Sequence, residues 1–180
     1  MKMQTMTISL ALIIGLISNG AYALDSATES AGKTLGAKMT SEISFDEGKS
    51  TLTESAKNDI RNMVNEAKKS GKIDEMKVAA WADREYPTEG AKASKQDINL
   101  ANDRAKAVKN FIKDELKVSS VDTYNMTERP NALQKFMRTD TAKTKTAMEE
   151  GGAAPRTSDE TGFFNQKAKS SKAVIMIYMK

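Results

Sequence analysis

The chain is expected to fold as an α/β (α+β) two-layer sandwich, a single sheet with helices on one face. Three observations carry this. AVIMIYM (173–179) is a strand-length run rich in β-branched residues. Two longer stretches, around 60–67 and 98–112, repeat apolar residues at helical spacing. Between them lie apolar runs too short for helices, and the resulting order β-α-β-α-β-(α)-β closes as helices packed on one sheet.

Taken in order, the first 23 residues read as a secretory signal. Lys2 supplies the positive start, ISLALIIGLI the apolar stretch, and Ala21 and Ala23 an A-x-A cleavage site. The apolar run falls short of the roughly 20 residues a membrane-spanning helix needs, so no span is expected after cleavage before Leu24. Residues 24–41 are small and polar without apolar periodicity, and are expected to form a flexible N-terminal arm. The domain then occupies 42–180. ISFDEGKS (43–50) alternates as a half-buried strand ending in a glycine turn, and Thr51 or Thr53 caps a helix whose stripe is Ile60, Met63, Val64 and Ala67. Gly71 ends that helix. MKVAAWA (76–82) reads as a central strand, followed by a loop holding Pro87 and Gly90. A second helix spans 96–116, and a third strand spans 121–130, ended by Pro130. Within 131–169, LQKFM reads as a helix and the Thr- and Gly-rich remainder as an ill-ordered insertion.

Composition narrows the function. Without the signal, 27 basic residues face 24 acidic ones over 157 of the 180 residues, the interspersed charge of a soluble surface. Aromatics make up only 6 % and no basic cluster alternates with them, which argues against nucleic acid. The chain has no His and no Cys, which removes Ser-His triads, thiol nucleophiles, disulfides and the common zinc sites. Asp83 and Glu85 are too unspecific a carboxylate pair to support glycan cleavage. No enzyme activity and no cofactor are expected.

Asp83, at the end of the central strand, and Arg104, on the second helix, stand out. Together they offer one anion and one cation to a zwitterionic ligand such as an amino acid. The bland readings are a turn residue for Asp83 and a solvated charge paired with Asp97 or Asp103 for Arg104. Trp81 reads first as core.

Several motifs in order resemble the OmpA-like peptidoglycan-binding domains found in OmpA C-terminal regions, Pal lipoproteins and MotB stators. FDEGKSTLTESA looks like the opening F-x-x-x-x-x-x-L-T-x-x-A. Asp83 in WAD falls on the Asp of G-H-T-D, and NLANDRAKAV resembles L-S-x-x-R-A-x-x-V, with Arg104 on the motif Arg. MTERP is similar to G-E-S-R-P, and KAKSSKAVIMI to the closing R-A-K-N-R-R-V-E-I, with Lys172 on the second Arg. Trp81 stands where the pattern has His, and Asp97 where it has Asn. The resemblance implies a mixed sheet of strand order 1-4-2-3 with the last strand antiparallel. It also implies a periplasmic, wall- or outer-membrane-associated module of a Gram-negative envelope, binding the diaminopimelate of the peptidoglycan stem peptide. Asp83 and Arg104 would grip the ligand's ammonium and carboxylate, with Lys172, Trp81 and Asp97 around them, and other envelope proteins are further potential partners. The alternative is a scaffold whose site has decayed and whose long insertion binds an envelope protein.

Overall fold

A computed structural model describes residues 26–84, 86–88, 90–155 and 171–180. The signal segment lies outside them. The elements are α1 (Ser26–Thr34), β1 (Met39–Ser44), α2 (Glu54–Ser70), β2 (Ile73–Ala80), α3 (Lys95–Asp114), β3 (Val121–Asn125), α4 (Ala132–Met137), α5 (Asp140–Glu150) and β4 (Lys172–Met179). The four strands form one mixed sheet in the order β1-β4-β2-β3. β4 runs antiparallel to both neighbours, with Ile175 opposite Ser41 and Val78, whereas β2 and β3 run parallel, with Val78 opposite Thr123.

Local chemistry explains the helix ends. Of the two threonines before α2, Thr53 is the cap, accepting a hydrogen bond from the Ala56 amide at 3.1 Å. The Gly71 amide closes the helix on the Ala67 carbonyl. Ser94 caps α3 in the same way, through the Asp97 amide. The apolar stripes of both helices, Ile60 and Val64 on α2 and Val108 and Ile112 on α3, pack with Ile43, Val78, Ile175 and Ile177 into the main core. No helix among the described residues is long and apolar enough to cross a membrane.

The opposite face of the sheet is covered as well, which corrects the expectation of helices on one face only. Ala79, Trp81, Tyr124, Val174 and Met176 form a second core with Ala31 of α1 and Met148 of α5. Residues 24–41, expected as a flexible arm, therefore hold a docked helix and the start of β1. Most of 140–155, expected as ill-ordered, is a packed helix and turn. Both were missed for the same reason: the contacts are made by small residues. A Cβ on Gly32 would lie 2.1 Å from Thr40 Oγ1, and one on Gly151 2.8 Å from the Ala31 Cβ, so these positions have no room for the larger apolar side chains that make a hydropathy stripe. Residues 156–169 of the expected insertion lie outside the described residues. The amides of Met148 and Gly151 are expected to exchange slowly, and proteases to spare 140–150, as hydrogen-exchange mass spectrometry and limited proteolysis can check.

Candidate functional site

The site is built where β2 ends. Beyond Ala80 the chain leaves the sheet through Trp81 and Ala82, bringing Asp83 to the rim above α3 and beside the loop between β1 and α2. Arg104 rises from the core face of α3 between Ala101 and Val108, and is wholly buried. This overturns the reading of Arg104 as a solvated helix charge paired with Asp97 or Asp103.

A buried guanidinium needs acceptors on all sides. Arg104 finds four. Its Nε donates to the Lys49 carbonyl at 2.9 Å and Nη1 to the Trp81 carbonyl at 2.9 Å. Nη2 donates to the Asp46 carbonyl at 3.1 Å and to Asp83 Oδ1. The Phe45 ring lies beneath the guanidinium, 5.0 Å from its centre. One side chain thereby fastens the β1–α2 loop to the end of β2.

Asp83 completes the fastening. Its Oδ2 accepts from the Gly48 amide, and its Oδ1 from Ser171 Oγ at 2.7 Å as well as from Arg104. Gly48 has φ +68°, a left-handed turn that glycine adopts without strain. Burial would push the Asp83 carboxyl up, but the hydrogen bonds from Ser171, Arg104 and Gly48 and the charge of Arg104 outweigh it. The carboxyl is held below the usual carboxylate range. Its side chain keeps 16 % of its surface open to solvent.

That lowered value has a stability consequence. The unfolded carboxyl titrates near ~3.9, so the contribution is complete above that value and is lost as pH falls through the lower folded one. Wild type is expected to lose stability more steeply than Asp83→Asn as pH drops from about 5 into that range, read as the difference between their urea midpoints.

The other expected site residues separate from this pair. Lys172 and Trp81 face the opposite side of the sheet. There Lys172 Nζ donates to Glu42 at 2.9 Å and lies 5.6 Å from the Trp81 ring centre. Thr28 of α1 donates to the same carboxylate oxygen at 3.0 Å. Trp81 thus belongs to the second core and Lys172 is buried against it, paired with Glu42, and the Asp83 carboxylate takes its hydrogen bonds from Gly48, Arg104 and Ser171 instead. Asp97 works at the start of α3. Its carboxylate accepts from Ser94 Oγ at 2.6 Å and pairs with Arg84 Nε at 3.5 Å. Arg84, adjacent to Asp83, has a side chain 77 % exposed.

Sequence reasoning missed Ser171, Gly48 and the three carbonyls that hold Arg104. Backbone acceptors carry no side-chain signature. Ser171 sits next to the position carried over as a cation, and that adjacency was the available signal.

Comparison with known proteins gives one family. A model described as the OmpA family matches residues 44–149, more than half the chain and including both Asp83 and Arg104. No curated protein matches the chain.

Proposed function

The chain belongs to the OmpA family, and on that premise we propose that it is a non-catalytic periplasmic module that attaches to peptidoglycan through the diaminopimelate of the stem peptide. One observation carries the reading: Asp83 is ionised, fixed by three donors and still open to solvent at the rim of the site. A carboxylate offers about four lone-pair directions, so one remains for the ligand's ammonium.

The roles of the two motif residues differ. Asp83 contacts the ligand. Arg104, buried with its acceptors, positions Asp83 and the β1–α2 loop and does not reach the ligand's carboxylate. Arg84 supplies that cation: it follows Asp83 directly, is exposed, and is held only loosely by Asp97. The family is typical of envelope proteins, which agrees with a cleaved signal ending at Ala23.

The burial of Arg104 also favours a second reading, in which the motif pair survives as a structural fastening and the scaffold binds an envelope protein instead. Pull-down on purified sacculi separates the two. Under the first reading wild type sediments with the wall and Asp83→Asn largely does not; under the second neither sediments.

A further inference from the structure

Every exposed large apolar side chain among the described residues belongs to one short helix. Leu133, Phe136 and Met137 of α4 are 68 %, 82 % and 62 % exposed, and their spacing of three and four places them on one face. No residue of α4 is buried. A capping box between Asn131 and Gln134 secures its start, and Arg138 in the left-handed conformation ends it.

The surroundings are cationic. α4 carries Lys135 and no acid. Beside it opens a groove of about 550 Å³, lined by Lys135, Arg138 and Lys143 together with Leu35 and the acid Glu150. Asp140, 3.6 Å from Lys143, and Glu150 offset part of that charge, leaving three cations against two acids on this surface.

We propose that α4 docks the protein on an anionic lipid surface, with Leu133, Phe136 and Met137 among the acyl chains and Lys135, Arg138 and Lys143 at the headgroups. Area and charge select this occupant. A stable protein partner covers about 800 Å² on each side, more than one six-residue helix presents. A bilayer needs only a few immersed side chains with cations at the level of the phosphates. A second copy of the chain would bring the same cations against these. The inference is independent of the wall-binding reading.

The test is local to α4. Trp81, the only tryptophan of the chain, is buried, so Phe136→Trp provides a reporter at the proposed point of entry, unaffected by the apolar stretch near the N-terminus. With phosphatidylglycerol vesicles its emission is expected to shift to the blue and to be quenched by brominated acyl chains. Phosphatidylcholine vesicles are expected to give neither effect. Lys135→Glu with Arg138→Glu in the same background is expected to weaken the response by at least roughly tenfold. Absence of quenching on anionic vesicles, equal quenching on zwitterionic ones, or indifference to charge reversal overturns the proposal. A blue-shifted emission before lipid is added also overturns it, because protein then covers the face.

Discussion

Arg104→Ala is expected to lower the unfolding free energy by about 3–5 kcal/mol, the cost of removing one member of a buried, hydrogen-bonded ion pair. The change leaves the carbonyls of Asp46, Lys49 and Trp81 without their donor and takes the partner cation from Asp83. It also opens a cavity over Phe45. A solvated arginine on a helix would cost no more than about 0.5 kcal/mol, so urea unfolding distinguishes the two roles clearly. Arg104→Lys is expected to recover only part of the loss. An ammonium on a flexible stem lacks the planar fork that reaches the β1–α2 loop and the end of β2 together.

Asp83→Asn is expected to weaken sacculus binding by roughly 10- to 100-fold. A hydrogen bond to a charged partner is worth ~1.5–3 kcal/mol net, and each ~1.4 kcal/mol is a decade of affinity. Asparagine keeps an acceptor oxygen for Arg104 and Ser171 but turns its amide donor toward the Gly48 amide and removes the counter-charge of Arg104, so some stability is lost, less than in Arg104→Ala, which strands three backbone carbonyls. The two variants therefore dissociate the roles. Asp83→Asn loses binding with the larger part of stability retained, whereas Arg104→Ala loses stability first and binding as a consequence. Arg84→Ala is expected to reduce binding with little change in stability, because its side chain is exposed.

The elements legible in the sequence were those with strong periodicity. β4 reads from its β-branched run and α2 and α3 from their stripes, each observed within a few residues of its expected bounds. The strand order followed from the family resemblance and holds in the structure. α1 and α5 were illegible because Gly32, Ala31 and Gly151 pack where no larger side chain fits, and such contacts leave no apolar signal. In the site, the pairing of Asp83 with Arg104 was legible from the motifs, but the depth of Arg104 was not. That depth depends on which carbonyls the β1–α2 loop turns inward. Trp81 illustrates a related limit. It alternates with Ala80 of the main core and joins Ala79 on the second face of the sheet, while Asp83, two residues later, has left the strand and no longer obeys its alternation.

The most direct measurement is a calorimetric titration of the protein with a diaminopimelate-containing stem peptide, repeated with the peptide acetylated on the diaminopimelate side-chain amine and with Asp83→Asn. The account predicts saturable binding of the free amine by wild type. It predicts a loss of roughly 10- to 100-fold on acetylation or on Asp83→Asn, and little further loss when the two are combined. No binding at millimolar peptide, or equal affinity for the free and acetylated amines, would contradict it.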